Sequence, residues 1–252
     1  MKRHMIGEGN QPLICTPLVG KQREAILLEL HHVLEKCPDL IEWRVDFFEG
    51  IENTGEVLKL AQAIKKDAGD IPIIFTQRSV REGGQPVPLD DKEALKLLKA
   101  ICQKTDIEYV DFELNNPEEA FEELRQAASA GRTKIIASYH NFSYTPDAES
   151  LFEKIKEAKR LKADVVKIAV MPQNLKDVLN LLNLTLEAKE TVNIPLISLA
   201  MGQYGTITRM IGGVFGSAVT FAVGENSSAP GQMMIEDVRS VLEIIRKSVD
   251  RS

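Results

Sequence analysis

The chain carries a lysine inside an apolar run. Lys167 lies in the segment ADVVKIAVMP, residues 163–172, with β-branched residues on both sides. Such a run is typical of a strand that is buried on both faces of a parallel sheet. A strand lysine can extend to solvent, but lysine is almost never fully buried unless it is paired or used. Lys167 is therefore a candidate nucleophile.

A lysine attacks a carbonyl only as the neutral amine. Burial disfavours the charged form and lowers the pKa, and nearby arginines would act in the same direction. The resulting imine acidifies the carbon beside it, so a base must then remove a proton. His140 ends another apolar run, and histidine has a suitable intrinsic pKa. Together, Lys167 and His140 predict proton abstraction next to an imine.

Eight strand-like runs alternate with helical patterns and would position these two side chains. The predicted strands span residues 13–18, 40–47, 71–78, 109–114, 133–140, 163–170, 194–200 and 217–223. Amphipathic stretches separate them, although only the short segment TRMIGG is a helix candidate before the eighth strand. This order predicts an α/β protein, a single (β/α)8 TIM barrel over residues 1–252, whose active site lies at the carboxyl ends of the strands.

Polar residues recur at those strand ends. Side chains alternate in direction along a strand, so Glu42 and Arg44 share one face, and Arg78 shares a face with the core residues of its own strand. If those faces point inward, the mouth of the barrel holds these three residues with His140 and Lys167. Each has a plainer interpretation: Glu42 and Arg44 can form a structural ion pair, and a single arginine is more often a surface residue.

Other residues are assigned structural roles. Asp111 and Glu113 share a strand face and are interpreted as acids that orient neighbouring side chains. The three cysteines, Cys15, Cys37 and Cys102, are interpreted as core residues, because their number is odd and none forms a C-x-x-C pair. A disulfide framework or a zinc site is therefore not expected.

Composition narrows the class of protein. The chain has 31 basic and 37 acidic residues, a net charge of −6, which argues against nucleic acid as a partner. No apolar run approaches the ~18 residues of a membrane span, and the first twelve residues lack the apolar core of a secretory signal. We expect a soluble cytoplasmic protein. Neither a metal nor an organic cofactor is expected, because the lysine itself supplies the electron sink.

The chemistry of the leaving group stays open at this point. Arginines near the barrel mouth favour an anionic substrate, since arginine binds carboxylate in a bidentate manner. An aldolase would break a carbon–carbon bond, whereas a dehydratase would expel a β-hydroxyl group as water. The residue types and their spacing do not decide between the two.

Seven motifs together resemble one family, the type I 3-dehydroquinate dehydratases of the shikimate pathway. They are EWRVD (42–46), TQRSVREGG (76–84), SYH (138–140), VKIAVMPQ (166–173), MGQYGTITR (201–209), FGSAVTFA (215–222) and SAPGQ (228–232). The resemblance runs through almost the whole chain, in order. It implies a (β/α)8 barrel that converts 3-dehydroquinate to 3-dehydroshikimate plus water, and it suggests a homodimer.

The resemblance also implies roles for the residues of the motifs. Lys167 matches the lysine that forms the imine, and His140 matches the general acid–base histidine. Glu82 matches a glutamate that orients or polarises that histidine, and Arg209 matches the arginine that holds the substrate carboxylate. The remaining matches are substrate-binding: Glu42, Arg44 and Arg78 at the ring hydroxyls and the carboxylate side of the pocket, and Ser228 and Gln232 in a lid loop.

The chain departs from the common family pattern in three places. Asn141 stands where aspartate is common, and Ala200 and Thr208 stand where serine is common. The segment before Lys167 also lacks the usual proline. None of these changes removes a proposed catalytic group. Two alternatives stay open: a class I Schiff-base aldolase of a keto acid or sugar, and an inactive barrel that only binds a ligand.

Overall fold

A computed structural model describes residues 5–9 and 11–249 of the chain. The ends of the predicted range 1–252, together with residue 10, lie outside the described residues. The strands are β1 (Leu13–Leu18), β2 (Leu40–Arg44), β3 (Ile73–Thr76), β4 (Tyr109–Glu113), β5 (Lys134–Asn141), β6 (Val165–Val170), β7 (Leu196–Ala200), β8 (Val219–Val223) and β9 (Met233–Met234). The helices are α1 (Arg23–Glu35), α2 (Thr54–Ala68), α3 (Asp91–Lys104), α4 (Glu118–Gly131), α5 (Ala148–Arg160), α6 (Leu175–Thr191), α7 (Gly202–Phe215) and α8 (Ile235–Val249).

The strands form one curled parallel sheet. Each strand from β1 to β6 pairs with the next along the chain, and β8 pairs with the other edge of β1. A parallel bridge between Leu196 and Ser217 then joins β7 to the start of β8. The backbone amide of Ala218 donates to the carbonyl of Leu196 at 2.7 Å across this seam. The predicted (β/α)8 barrel is thereby confirmed, with the short β9 as an additional strand beside β8.

Several predicted strands begin too early. The runs at 71–78 and 194–200 start their ladders only at Ile73 and Leu196, directly after a proline. Pro72 and Pro195 have no N–H to donate, so they contribute only a carbonyl to the neighbouring strand. The prediction for 40–47 is also wrong at its end. A 3-10 turn over Val45–Phe47 replaces the last three residues.

The seventh helix is much longer than the predicted TRMIGG segment. α7 has 14 residues and begins at Gly202, inside a run whose glycines concealed the helical pattern. Gly205 explains one of them: a Cβ there would lie 2.3 Å from the backbone carbonyl of Ala200. Glycine therefore lets α7 pack against the end of β7, although it weakens the helical signal in the sequence.

The hydrophobic core has two parts. The larger cluster fills the space between the sheet and the helices, with Trp43 against Phe75 at its centre. A smaller cluster fills the lower interior of the barrel. The core assignment holds for Cys15 and Cys102 and is wrong for Cys37. Cys37 is exposed after α1 with φ of 51°, a left-handed conformation that ends the helix.

No helix in the described part of the chain is long and apolar enough to cross a membrane.

Candidate active site

The inward-facing residues of the barrel change from apolar to polar along its axis. The lower interior is apolar, and its residues include Leu40, Ile74, Tyr109, Ile136, Val165 and Ile197. On five of these strands, the residue two positions after the apolar one is polar and buried. These residues are Glu42, Thr76, Asp111, Ser138 and Lys167. The alternation of strand side chains keeps both sets on the same face. The apolar layer therefore supports a polar layer at the carboxyl ends of the strands.

A cavity above this polar layer brings together all nine residues that the sequence singled out. Its wall also contains apolar side chains that include Phe142, Leu199, Met201 and Phe221. The predicted residues in the wall are Glu42, Arg44, Arg78, Glu82, His140, Lys167, Arg209, Ser228 and Gln232. Their juxtaposition is a structural fact, whereas the individual roles stay predictions.

Lys167 lies in the floor of the cavity and is 6% exposed. Its Nζ is 3.2 Å from Oε1 of Glu42 and 3.7 Å from Oδ2 of Asp111. The same nitrogen sits 4.4 Å from the centre of the Phe221 ring. The sequence argument placed arginines beside this lysine, but its ion-pair partners are carboxylates. Lys167 is thus buried, paired and directed into the cavity.

Arg78 is the hub of the polar layer. Its Nη1 donates to Oε1 of Glu113 and to Oγ of Ser138, both at 3.0 Å, and its Nη2 lies 2.9 Å from Oδ2 of Asp111. Burial alone would lower the pKa of Arg78, but Asp111 and then Glu113 outweigh it and raise that pKa. The guanidinium therefore remains charged and fixes the wall. Asp111 and Glu113 accordingly orient a neighbour, as their strand face indicated.

Arg44 is held by a local ion pair. Its Nε and Nη2 donate to the two carboxylate oxygens of Asp46, each at 2.8 Å. The 3-10 turn that follows β2 makes this pair, because it turns Asp46 back toward the end of the strand. Asp46 also accepts the backbone amides of Arg78 at 3.4 Å and Gln85 at 3.1 Å. The bidentate pair holds the Arg44 side chain at the cavity wall.

Glu82 and His140 form the second buried pair. Oε2 of Glu82 lies 2.9 Å from Nδ1 of His140 and accepts the backbone amide of His140 at 2.9 Å. The ring of Phe142 stacks near the imidazole, with ring centres 6.5 Å apart. Because Nδ1 faces the carboxylate, Nε2 is the nitrogen left for chemistry. Glu82 thus fixes both the position and the orientation of the imidazole.

The charges around this pair keep the imidazole neutral. The pKa of His140 lies well below its ordinary value, first because the ring is buried and then because Arg78, Lys167 and Arg44 repel a further positive charge. Burial and the Glu113 carboxylate raise the pKa of Glu82 above its ordinary value, while Arg78 and the backbone amide of His140 oppose that change. A neutral imidazole with a free nitrogen can accept a proton at neutral pH.

Two glycines let the loop after β3 reach this pair. Gly83 ends the 3-10 turn Val80–Glu82 with φ of 82°, which favours glycine. A Cβ on Gly83 would also lie 2.3 Å from the Phe142 ring, and one on Gly84 would lie 2.0 Å from the carbonyl oxygen of Arg78. The REGG segment therefore has a packing reason for both glycines, and it carries Glu82 to His140.

Arg209 approaches the cavity from α7. Its side chain is buried, and its Nη1 and Nη2 donate to the carbonyl oxygens of Phe221 at 3.3 Å and Pro230 at 3.2 Å. Its Nε has no hydrogen-bond partner among the described residues. Burial lowers the pKa of Arg209 to about 10, so the group is still cationic at neutral pH. In the part of the chain that the structure describes, its partners are backbone carbonyls, so a cation with a free donor borders the cavity.

The loop after β8 closes the cavity from above. Oε1 of Gln232 accepts the backbone amide of Ser228 at 3.0 Å, and its Nε2 donates to Oγ of Ser228 at 3.2 Å. Gly231 has φ of 75°, and a Cβ there would lie 2.3 Å from the carbonyl oxygen of Gly202. The loop therefore packs directly on the start of α7, with Ser228 and Gln232 held to each other.

The departures from the family pattern serve local structure. Oδ1 of Asn141 accepts the backbone amides of Ser143 at 2.9 Å and Tyr144 at 3.0 Å, which is a turn that either aspartate or asparagine can make. Oγ1 of Thr208 accepts the amide of Ala200 at 3.0 Å and ties α7 to β7. None of these side chains lines the cavity.

Sequence reasoning missed the apolar side chains of the cavity wall and also Asn115. Phe142 and Asn115 both lie in loops, where residue spacing has no period that could indicate direction. Asn115 donates through Nδ2 to Oε1 of Glu82 at 2.7 Å. Within the described residues, no group of three or more histidine, cysteine, aspartate or glutamate side chains could hold a metal ion.

Comparison with known proteins agrees with this geometry. The family model described as type I 3-dehydroquinase matches residues 14–249. A 3-dehydroquinate dehydratase from Aromatoleum aromaticum is 45% identical over 249 residues, which cover 99% of this chain and 96% of the relative.

Two solved structures are similar in fold and sequence. The crystal structure of a 3-dehydroquinate dehydratase from Geobacillus kaustophilus has a TM-score of 0.93 and 47% identity, covering 95% of this chain and 93% of its own. The crystal structure of a type I 3-dehydroquinate dehydratase from Clostridium difficile, with covalently modified comenic acid, has a TM-score of 0.92 and 40% identity. The match covers 98% of this chain and 97% of that one. The chain therefore belongs to the type I 3-dehydroquinase family.

Proposed function

We propose that this chain removes water from 3-dehydroquinate to give 3-dehydroshikimate, through an imine on Lys167. Membership of the type I 3-dehydroquinase family supports the reaction. The observation that carries the mechanism is the placement of Lys167 and the Glu82–His140 pair in the wall of one cavity. A lysine and a neutral imidazole in one enclosed site are what imine formation and proton abstraction require.

The first step joins the lysine to the substrate ketone. Glu42, whose Oε1 lies 3.2 Å from Nζ, is placed to take a proton from the ammonium group. The free amine then attacks the carbonyl carbon, and a proton moves from the nitrogen to the oxygen. The resulting hydroxyl takes the proton back from Glu42 and leaves as water, which gives the protonated imine. The floor of the cavity around Lys167 is formed by strands, so the nucleophile starts from a fixed position.

The second step is elimination. Nε2 of His140 takes a proton from the carbon that lies between the imine carbon and the carbon bearing the hydroxyl group. The electron pair moves into the imine, then returns and expels the hydroxyl, which takes the proton from His140 and leaves as water. Hydrolysis of the product imine releases 3-dehydroshikimate and restores Lys167. Atoms and protons balance without a cofactor.

The arginine and the loop above the cavity support these steps. Arg209 is the cation that binds the substrate carboxylate, since the partners of its guanidinium within residues 5–9 and 11–249 are backbone carbonyls. Ser228 and Gln232 cover the bound ring and exclude water, which would otherwise hydrolyse the imine. The homodimer and the cytoplasmic location that the sequence suggests remain predictions.

The direct test is covalent capture. The protein is incubated with 3-dehydroquinate and sodium borohydride, and its intact mass is measured before peptide mapping. We expect one substrate-sized addition, located on Lys167, together with turnover in the absence of borohydride. Turnover without any adduct would reject the imine mechanism. Absence of both would favour a barrel that only binds a ligand, and an adduct with carbon–carbon cleavage would favour the aldolase.

Arg209→Ala is expected to weaken substrate binding more than it slows the chemical step. Loss of a charged hydrogen bond is worth about 1.5–3 kcal/mol, so KM should rise about 10- to 100-fold. Steady-state kinetics measure the split between KM and kcat. Arg81→Ala is the matched control, because Arg81 pairs at the surface with Asp91. An unchanged KM for Arg209→Ala would place the carboxylate elsewhere in the cavity.

A further inference from the structure

We propose that Asn115 is a positioning residue for the dehydration. It acts through Glu82 on the acid–base histidine, His140. The inference rests on the proposed function for its kinetic consequence, whereas the structural contact is independent of the reaction. Asn115 lies outside every motif that led to the family and does not line the cavity.

The two oxygens of Glu82 have different partners. Oε2 accepts the backbone amide of His140 and faces its Nδ1, both at 2.9 Å. Among the described residues, the hydrogen-bond donor at Oε1 is Nδ2 of Asn115, at 2.7 Å. The side chain of Glu82 is nearly inaccessible to solvent, so water does not readily replace a lost donor. Asn115 therefore fixes the plane of the carboxylate that orients His140.

A short rigid turn holds Asn115 in place. The amide of Leu114 continues the ladder of β4 by donating to the carbonyl of Ser138 at 2.7 Å. The backbone amide and the side-chain Nδ2 of Asn116 then donate to the carbonyl of Glu113 at 3.2 and 3.1 Å. Pro117 follows directly and begins the approach to α4. The amide of Asn115 is thus presented to Glu82 by backbone geometry.

An amide donor affects the charge of Glu82. A hydrogen bond to the ionised carboxylate favours that form over the protonated one. Burial and Glu113 favour the protonated form, so the Asn115 amide opposes both. An ionised Glu82 keeps the imidazole proton on Nδ1 and leaves Nε2 free to take a proton from substrate. An amide does this without adding a charge to a site already dense in charges.

The charged groups that bear on Glu82 and His140 come from four strands and the loops after them. They are Arg44 at the end of β2, Arg78 after β3, Asp111 and Glu113 on β4, and Lys167 on β6. Strand pairing positions the four strand residues, and Asp111, Glu113 and Ser138 hold Arg78. Replacing Asn115 with alanine therefore removes one hydrogen bond to Glu82 and leaves the charged groups around Glu82 and His140 unchanged.

The test compares Asn115→Ala, Asn115→Asp and Asn183→Ala in the full chain. Asn115→Asp keeps the shape of the side chain but lacks the donor and adds a negative charge. Asn183→Ala is the matched control, since Asn183 is exposed on α6 and does not line the cavity. The first readout is the pH dependence of kcat. The second is the nitrogen-15 spectrum of the histidine rings, with His140 assigned from the spectrum of a His140→Ala variant.

Loss of the donor should raise the pKa of Glu82, so the acid limb of kcat should move to higher pH. One lost hydrogen bond to a charged group corresponds to about one pH unit, or about a tenfold loss of rate on that limb. Asn115→Asp should shift the limb further, and Asn183→Ala should leave it in place. The His140 ring should change from a single Nδ1–H tautomer to a mixture in both Asn115 variants.

Coincident profiles and spectra for the wild-type protein and both Asn115 variants would overturn the positioning role. An Asn115→Asp protein that behaves like the wild type would show that the donor has no influence, and this also overturns it. Failure of the proposed function has a different signature, because the wild-type protein would then show neither turnover nor a borohydride adduct. In that case the His140 spectra still decide whether Asn115 sets the tautomer.

Discussion

Replacing Lys167 with alanine is expected to abolish turnover of 3-dehydroquinate. Without the amine no imine forms, and the carbon that His140 must deprotonate lacks its electron sink. Removal of a covalent nucleophile costs on the order of 10⁴-fold or more in kcat. The measurement is the rate of 3-dehydroshikimate formation, followed by its conjugated absorbance, with intact mass after borohydride treatment as the second readout. Neither product nor adduct should appear.

The fold of this variant needs a separate check. Lys167 pairs with Glu42 and Asp111 in the buried layer. Asp111 keeps its pair with Arg78, so Glu42 is the carboxylate that loses its cation. An unpaired buried charge destabilises a protein, so Lys167→Met, which fills more of the space, serves as a second variant. Circular dichroism and thermal unfolding establish that both variants are folded. Lys176→Ala, at the exposed start of α6, is the control lysine substitution.

Substantial activity in a folded Lys167→Ala protein would contradict the imine mechanism. An adduct on another lysine would do the same, because it would show that the reactive amine lies elsewhere. Binding of 3-dehydroquinate, measured by calorimetry, should persist in the variant, since Arg209 and the loop above the cavity are unchanged. Retained binding with lost turnover would separate the chemical role of Lys167 from a role in holding the substrate.

The sequence predicted the strand-borne half of the site because strands have a period of two. Glu42 and Lys167 lie two residues after the apolar Leu40 and Val165, so they share a strand face with them. That face is inward, because Leu40 and Val165 are buried inside the barrel. The position of His140 at the end of its strand follows from the same rule. The barrel then places these ends together, so fold and site were predicted by one argument.

The partners of these side chains could not be predicted in this way. Arg78 is surrounded by Asp111, Glu113 and Ser138 only because the register pairs Thr76 with Asp111 and Glu113 with Ser138. Register depends on how the whole sheet is staggered, which a single strand does not reveal. The arginine that looked like a surface residue in isolation is thus among the most buried charges of the barrel.

Loops and glycine-rich helices account for the remaining misses. Gly205 of α7 packs on the backbone of Ala200, so the low helix propensity of this segment is outweighed by a tertiary contact. Asn115 lies in a turn where direction is set by backbone dihedral angles and not by spacing. Glu82 was found only through the family resemblance, because a 3-10 turn carries it to His140.

His140→Ala is expected to lose turnover yet retain the covalent intermediate. General acid–base catalysis contributes about 10²- to 10⁴-fold, so kcat should fall within that range. Lys167 and Glu42 are intact in this variant, and the imine can still form, though more slowly. Because its next step is blocked, the imine should accumulate and give a larger borohydride-trapped fraction than the wild-type protein at the same time point.

This pattern separates the two residues, since Lys167→Ala should give no adduct and His140→Ala should give an abundant one. His32→Ala is the matched control, because His32 is exposed and pairs with Glu225 outside the cavity. Added imidazole should restore part of the His140→Ala rate if the missing group is a base. Full activity of His140→Ala would show that His140 has no part in the elimination step. The same conclusion would follow if the adduct were no more abundant than in the wild type and imidazole gave no rescue. Another group of the cavity would then transfer the proton.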